Sequence, residues 1–314
     1  MIVTGCSGLL GEEILRNSPS SIGVNSRDCN LLSQYPCDSF FYQIKKASEA
    51  SGRQIDTVIH CAAKVGGVKA NTDFVADFFD DNIRMNMNVL EGCKRAGVKL
   101  VSVLSTCIYP DALFVKYPLT EDQLHMGPPH QSNFGYAYAK RMLEVQSRAY
   151  RQQFGCNFIS VIPNNLYGLN DNYHLESGHV IPALIRKFYV AKLQKEESVV
   201  VWGSGRPLRE FTFARDAAKI ILWLAENYNN DSPVNIGNQE QVSISDLAQI
   251  ISDEIGYEGK IIFDSSKPDG QMQKPSSNQK LRDLGWNGEY TPLRVGLRET
   301  IKFFEENYPN VRGI

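Results

Sequence analysis

The chain has 314 residues, of which 42% are hydrophobic, so it is long enough for a large packed domain with a smaller one beside it. The 33 basic and 35 acidic side chains give a net charge of -2, which leaves no basic surplus to neutralise a phosphate backbone, so we expect no nucleic-acid partner. The longest apolar run, 220–225, is far shorter than the roughly 20 residues that a bilayer requires. We therefore expect a cytoplasmic protein with no membrane partner, because no signal-peptide pattern opens the sequence either.

Cysteine and histidine spacing gives no sign of a disulfide framework or a metal centre. The seven cysteines are scattered and form no C-x-x-C pair, and the five histidines include no H-E-x-x-H motif. We therefore predict free thiols in a reducing compartment and no bound metal.

Strands and helices alternate along the first half of the chain. Short apolar runs predict strands at 2–4, 21–24, 57–61, 100–104 and 157–162. Amphipathic stretches predict helices at 11–16, 75–96 and 133–154, the last two closed by Gly97 and Gly155. This alternation predicts a Rossmann-type doubly wound parallel sheet over residues 1–165.

The alternation of strands and helices becomes less regular after residue 165, where loops rich in Asn, Asp, Ser and Gly separate shorter elements. The pattern predicts strands at 199–202 and 260–263, and helices near 179–193, 215–227, 243–255 and 293–307. We interpret residues 166–314 as a smaller C-terminal α/β domain built around a cleft. Parts of 211–238, namely 211–213 and 233–236, are candidates to rejoin the first sheet.

A glycine-rich turn, Gly5-Cys6-Ser7-Gly8-Leu9-Leu10-Gly11, lies between the first predicted strand and the first predicted helix. Glycines in this position permit a tight turn and let backbone N–H groups and the helix N-terminus meet a pyrophosphate. A glycine turn without a ligand is the alternative for such a motif. The strand-turn-helix context favours a dinucleotide site.

The second predicted strand ends in Val24-Asn25-Ser26-Arg27, without the carboxylate that usually binds the ribose 2′-hydroxyl of NAD. Arg27 is available for a 2′-phosphate instead, although a solvated surface arginine is the other interpretation. The segment favours NADP over NAD.

Two further segments carry groups suited to proton transfer. Tyr136 and Lys140 are four residues apart on one predicted helix, so both side chains lie on the same face. We expect the nearby ammonium to favour the tyrosinate. Ser105 directly follows a predicted strand, at the sheet edge where open α/β sheets bind ligands.

With these motifs, the chain resembles the extended short-chain dehydrogenase/reductase family, along essentially its whole length. The resemblance narrows to members that act on GDP-4-keto-6-deoxy-D-mannose. It rests on these segments: Ala62-Ala63-Lys64-Val65-Gly66-Gly67, Ser105-Thr106-Cys107-Ile108-Tyr109-Pro110, Pro163-Asn164-Asn165-Leu166-Tyr167-Gly168, Gly178-His179-Val180-Ile181-Pro182, Val201-Trp202-Gly203-Ser204-Gly205, Arg209-Glu210-Phe211 and Lys267-Pro268-Asp269-Gly270. Ser7 departs from members that carry Arg in the glycine loop.

The resemblance implies an NADPH-dependent enzyme that inverts C3 and C5 of the keto sugar and reduces C4. The catalytic residues it implies are Ser105, Cys107, Tyr136, Lys140 and His179, with Cys107 and His179 exchanging the C3 and C5 protons. The NADP(H)-binding residues implied are Gly5, Ser7, Gly8, Leu9, Leu10, Gly11, Arg27, Ala62, Ala63, Lys64, Lys140, Pro163, Asn165, Leu166 and His179. Those implied for the GDP-sugar are Lys187, Trp202, Arg209 and Asp269. A homodimer through helices 75–96 and 133–154 is also implied.

Other interpretations stay open from the sequence. Taken singly, Cys107 is equally a buried apolar residue, His179 a surface residue, Trp202 a core residue and Arg209 half of a structural ion pair. Another NADP-dependent nucleotide-sugar reductase or epimerase of the same family is the alternative enzyme. A non-catalytic NADP sensor is the alternative outside enzymology, and it has no need for the Ser105, Tyr136 and Lys140 set.

Overall fold

The structure is a computed structural model that describes residues 1–51 and 55–314, with the backbone alone for 47–51. The strands are β1 (Ile2–Thr4), β2 (Ile22–Val24), β3 (Thr57–His60), β4 (Lys99–Val103), β5 (Phe158–Pro163), β6 (Asn165–Tyr167), β7 (Ser198–Trp202), β8 (Leu208–Phe213), β9 (Val234–Ile236), β10 (Gln241–Ser243) and β11 (Lys260–Asp264). The helices are α1 (Leu9–Asn17), α2 (Gln34–Ser51), α3 (Val68–Asp73), α4 (Val75–Ala96), α5 (Phe134–Phe154), α6 (Val180–Gln194), α7 (Ala214–Asn227), α8 (Ile244–Ile255), α9 (Gln279–Asp283) and α10 (Leu293–Asn307).

The central sheet has six parallel strands in the order β2-β1-β3-β4-β5-β9. Alternate side chains of its strands enter two separate cores. One face packs against α2, α4 and α5, and the other packs against α1 and α7. Burial on both faces explains why these strands are continuous apolar runs rather than alternating ones. The predicted Rossmann-type doubly wound sheet is confirmed.

A second region follows β5. It contains the three-stranded sheet β10-β8-β6 and the parallel pair β11-β7, which share a core with α6, α8 and α10. Of the two segments expected to rejoin the first sheet, β9 lies beside β5 there. The expectation for 211–213 is wrong: β8 pairs with β6 and β10, and its side chains Phe211 and Phe213 pack in the second core beside Tyr167.

In the described part of the chain, no helix combines the length and the apolar character needed to cross a membrane. The same residues contain no group of three or more His, Cys, Asp or Glu side chains placed to hold a metal ion.

Candidate active site

The glycine loop joins β1 to α1 in a conformation that side chains would obstruct. Gly5 has φ +68°, and a Cβ added there would lie 2.7 Å from the Ala62 nitrogen. A Cβ added at Gly11 would lie 2.3 Å from the Gly5 carbonyl oxygen. Gly8 is the N-cap of α1 and leaves the first helical turn without a side-chain cap. The loop therefore packs tightly against the end of β3 and leaves helix N–H groups free for a ligand.

The loop opens into one large cavity of about 1120 Å³ at the carboxyl ends of the parallel strands. The neighbouring strands β1 and β3 leave the sheet toward opposite faces there, which is where open α/β sheets bind ligands. The predicted residues that line the cavity are Gly5, Ser7, Gly8, Leu9, Leu10, Gly11, Ala62, Ala63, Lys64, Ser105, Cys107, Tyr136, Lys140, Pro163, Asn165, Leu166, His179, Lys187, Trp202, Arg209 and Asp269. The fold thus brings them into one space, and their individual roles stay predictions.

Arg27 is the exception among the predicted residues. Its side chain is exposed and does not belong to the cavity wall, whereas Asn25 and Ser26 just before it do. The Arg27 backbone donates a hydrogen bond of 2.8 Å to Asn25 Oδ1, which shapes the turn after β2. This end of the cavity is therefore lined by neutral side chains.

Ser105 and Cys107 lie just after β4 in a short 3-10 turn. The Ser105 hydroxyl accepts a hydrogen bond of 3.4 Å from the Cys107 nitrogen, so the serine caps the turn that carries the thiol. Cys107 is 8% exposed, and its burial raises the pKa of the thiol. The positive charges of Lys274 and Lys140 act in the opposite direction on this pKa.

Tyr136 and Lys140 lie one turn apart on α5, and both face the cavity. Lys140 Nζ donates a hydrogen bond of 2.8 Å to the Val103 carbonyl, and burial lowers the pKa of this ammonium to about 8. Burial, followed by the charge of Cys107, raises the pKa of Tyr136 well above 10. The expected tyrosinate is therefore wrong. The phenol stays protonated because desolvation disfavours the charged tyrosinate, and a protonated phenol is a proton donor.

His179 is the N-cap residue of α6, and its exposed side chain lines the cavity. Beside it lies Asp171, which is 4% exposed and whose Oδ2 atom has no hydrogen-bond partner in the described part of the chain. Burial raises the pKa of Asp171, while the charges of His179 and Arg312 act against that rise. The imidazole therefore has a buried carboxyl group beside it.

The far end of the cavity holds charged and aromatic groups in a fixed arrangement. Arg209 Nη1 donates to the Leu208 carbonyl at 2.8 Å, and burial lowers the pKa of this arginine. Asp269 accepts hydrogen bonds from Ser204 N and Ser204 Oγ, at 2.6 and 2.8 Å, which lower the pKa of the carboxyl. The Trp202 ring has Lys187 Nζ at 5.4 Å from its centroid, within the range of a cation–π contact.

Sequence reasoning missed several groups of the cavity wall. Lys274 is the most notable: burial lowers the pKa of its ammonium to about 8, and its charge reaches Cys107. No periodic pattern marks this lysine. The chain just after Lys274 is fixed by Glu210 of β8, whose Oε2 accepts a hydrogen bond of 2.8 Å from Ser276 Oγ. This contact holds Lys274 at the cavity wall. Asn164 is a second missed residue of the cavity wall, although it lies within the Pro163–Gly168 segment that carries the family resemblance.

Comparison with known proteins places this arrangement in a family. The model of the NAD dependent epimerase/dehydratase family matches residues 1–237. The GDP-L-fucose synthase of Dictyostelium discoideum is 43% identical, and the match covers 99% of this chain and 97% of that protein. The GDP-L-fucose synthase of Escherichia coli is 37% identical, with 100% of this chain and 98% of that protein covered.

Solved structures agree with the sequence relatives. The crystal structure of a GDP-L-fucose synthetase from Naegleria fowleri bound to NADP superposes with a TM-score of 0.87 at 39% identity. The match covers 99% of this chain and 95% of that one. The resemblance inferred from the motifs is confirmed: the chain belongs to the NAD dependent epimerase/dehydratase family.

Proposed function

We propose that this chain is a bifunctional NADPH-dependent 3,5-epimerase and 4-reductase that converts GDP-4-keto-6-deoxy-D-mannose to GDP-L-fucose. The observation that carries the proposal is that Cys107, Tyr136 and His179 line the same cavity as the glycine loop. Full-length similarity to curated GDP-L-fucose synthases supports the same reaction. The sensor alternative explains none of these proton-transfer groups.

The residues of the cavity fit NADP(H). The glycine loop gives a pyrophosphate close access to backbone N–H groups, and Asn25 and Ser26 line the 2′-phosphate end of the cavity with neutral side chains. The Asp28 carboxylate accepts a hydrogen bond of 2.9 Å from the Asn25 nitrogen. When bound, NADPH supplies the hydride that reduces C4 of the sugar. Arg27 is the proposed partner of the 2′-phosphate, reached from its exposed position beside this end. Lys140 is the proposed partner of the nicotinamide ribose.

Epimerisation needs groups that remove and return protons. The hydrogens on C3 and C5 are acidic because both carbons neighbour the C4 carbonyl. Cys107 and His179 are the two groups proposed to take a proton from one face and return one to the other. The charges of Lys274 and Lys140 favour the thiolate that this role requires, against the effect of burial.

Reduction needs a proton for the oxygen on C4. Tyr136 holds that proton, because burial keeps the pKa of its phenol well above 10. Ser105 is proposed to donate a hydrogen bond to the same oxygen, and Lys140 to orient the phenol and the cofactor. Both reactions are thus proposed to take place in one cavity.

Four residues at the far end are proposed to hold the GDP part of the substrate. Arg209 and Lys187 offer cations for a pyrophosphate, and the Trp202 ring offers an apolar wall. Asp269 offers a carboxylate to hydroxyl or N–H groups. This division makes 1–165, together with β9, the proposed NADP-binding domain. The remainder of 166–314 is the proposed nucleotide-sugar domain.

The proposed working form is a cytoplasmic homodimer that pairs α4 and α5 across a two-fold axis. Exposed methionines on both helices, Met87 at 53% and Met142 at 38%, support this choice of interface. Sedimentation equilibrium measures the mass directly, and a monomer at micromolar concentration would contradict the dimer.

The decisive experiment incubates the purified protein with GDP-4-keto-6-deoxy-D-mannose and NADPH in deuterated water. We expect GDP-L-fucose with deuterium at C3 and C5, identified by NMR. Reduction at C4 without deuterium at these carbons would instead indicate a simple reductase of the same family. Absence of any NADPH oxidation would contradict the proposed function.

A further inference from the structure

A cation from a distant part of the chain reaches the glycine loop. Arg312 belongs to the segment 308–314 that follows α10, yet its side chain lines the cavity. Its Nη1 atom lies 3.8 Å from the position that a Cβ on Gly8 would occupy. The guanidinium is therefore beside the N-cap of α1, on the side where the glycine leaves room for a ligand.

The backbone on both sides of Arg312 is held in place. The Tyr173 nitrogen donates a hydrogen bond of 2.9 Å to the Arg312 carbonyl. Arg186 Nη1 donates to the carbonyls of Tyr173 and Gly313, at 3.1 and 3.0 Å. Gly313 has φ +94°, and a Cβ added to it would lie 2.3 Å from Asn172 Oδ1. This close approach seats the segment against the loop after β6 and fixes where the Arg312 side chain starts.

Arg312 brings a positive charge to the part of the cavity where the glycine loop itself has none. The glycine loop, residues 5–11, contains no Lys or Arg. Two other cations of the wall are already paired, because Lys64 Nζ lies 2.7 Å from Asp81 and Lys69 Nζ lies 2.6 Å from Asp73. Among the residues that the structure describes, Arg312 has no ion pair within 4.0 Å and its guanidinium donates no hydrogen bond.

We propose that Arg312 is a cofactor-binding residue that donates charge-assisted hydrogen bonds to the pyrophosphate of NADP(H). The N–H groups at the start of α1 bind that pyrophosphate from one side, and the guanidinium neutralises its charge from the other. This inference rests on the cofactor of the proposed function, and on none of its sugar chemistry.

The test measures the dissociation constants of NADPH and NADH by fluorescence titration of the full chain. We expect Arg312→Gln to weaken both cofactors about tenfold, which corresponds to about 1.4 kcal/mol. An equal loss is expected because the pyrophosphate is common to both cofactors. Arg312→Lys should recover part of the affinity, since it keeps the charge without the planar fork. The matched control Lys302→Gln removes one charge from an exposed position of α10 and should leave both constants unchanged.

Three results would overturn the inference. Unchanged NADPH affinity in Arg312→Gln removes the residue from the site. A loss for NADPH alone assigns Arg312 to the 2′-phosphate instead. An equal loss of cofactor affinity in Lys302→Gln would show that the effect comes from the net charge of the protein rather than from a contact of Arg312. Thermal unfolding of each variant separates lost binding from lost folding. Normal NADPH binding by a wild-type chain that does not turn over the keto sugar would contradict the proposed function and leave this inference standing.

Discussion

Tyr136 and Cys107 face the same cavity, and burial keeps both groups protonated at neutral pH. For the phenol this is the form that a proton donor needs. For the thiol it is the resting form, from which the charges of Lys274 and Lys140 ease removal of the proton. The two residues therefore suit opposite steps, the tyrosine giving a proton and the cysteine taking one.

Replacing Tyr136 with Phe should lower the rate of NADPH oxidation by on the order of 10²–10⁴, because the proton donor to C4 is lost. Deuterium exchange at C3 and C5 should persist. Tyr138→Phe is the matched control on the same helix, since Tyr138 does not line the cavity. Near-normal reduction by the Tyr136 variant would remove the phenol from this role.

Cys107→Ser should slow deuterium exchange at C3 and C5 by on the order of 10², because a hydroxyl gives up its proton far less readily than a thiol. GDP binding, measured by calorimetry, should stay within about twofold, since thiol and hydroxyl differ little in size. Cys156→Ser is the control, as Cys156 lies outside the cavity wall. Exchange at the wild-type rate would exclude the cysteine from epimerisation.

A buried polar chain joins the sheet to two helices at the level of whole elements. His60, at the end of β3, is fully buried, and its Nδ1 lies 2.8 Å from Thr4 Oγ1 of β1. Its Nε2 lies 3.2 Å from Asn86 Oδ1 of α4, and Asn86 Nδ2 donates to the Ala139 carbonyl of α5. Burial, followed by the charge of Lys140, lowers the pKa of His60 to about 3.

This chain should make the fold sensitive to acid. The unfolded imidazole takes up a proton near its ordinary pKa of 6.5, whereas the folded one resists until about 3. The unfolded state therefore binds more protons in this window, so stability falls as the pH drops from 6.5 toward 3. Between pH 6.5 and 4.5, wild type should lose about 2 kcal/mol more than His60→Asn.

Urea unfolding at the two pH values checks this expectation. His130→Gln is the matched control, because no such buried chain surrounds the half-buried His130, and it should follow wild type. Parallel pH dependence in wild type and His60→Asn would contradict the role given to burial.

Elements with clear end signals were predictable from the sequence, and those without were not. The predicted bounds of α4 and α5 agree with the structure because Gly97 and Gly155 end both helices in the left-handed conformation. Helix α2 was missed, although Cys37, Phe41 and Ile44 recur on its buried face at helical spacing. Pro36 lies in the first turn of this helix, where a proline costs little. The three-residue strands β6 and β10 are set by pairing with β8, which no local pattern reveals.

At the scale of the molecule, one cavity is walled by both halves of the chain. Cofactor and substrate should therefore be separable by mutation. Arg209→Ala should weaken GDP binding about 10- to 100-fold, as expected for lost hydrogen bonds to a charged group, and leave NADPH binding unchanged. Arg206→Ala is the control, because Arg206 lies in the loop that precedes β8 and outside the cavity wall. Calorimetry with GDP and NADPH separately measures both, and equal weakening of the two ligands would contradict the division of the cavity.

The tertiary fold explains which site residues could be predicted from the sequence and which could not. Ser105, Tyr136 and Lys140 belong to local motifs, so spacing was enough to indicate them. Lys274 and Arg312 come from segments after β11 and α10, and only the tertiary fold brings them to the glycine loop and the thiol. The role of Arg27 stays a prediction, because a loop position next to a strand end does not fix the direction of its side chain.

The return of β9 to the first sheet has a consequence for how the protein is made. Until residues 234–236 have been synthesised, the edge of β5 from Val161 to Pro163 has no neighbour, and its backbone groups remain open to pairing with another chain. A nascent or truncated product that stops near residue 165 therefore carries a ready site for aggregation. The two halves are best expressed together, as one uninterrupted polypeptide.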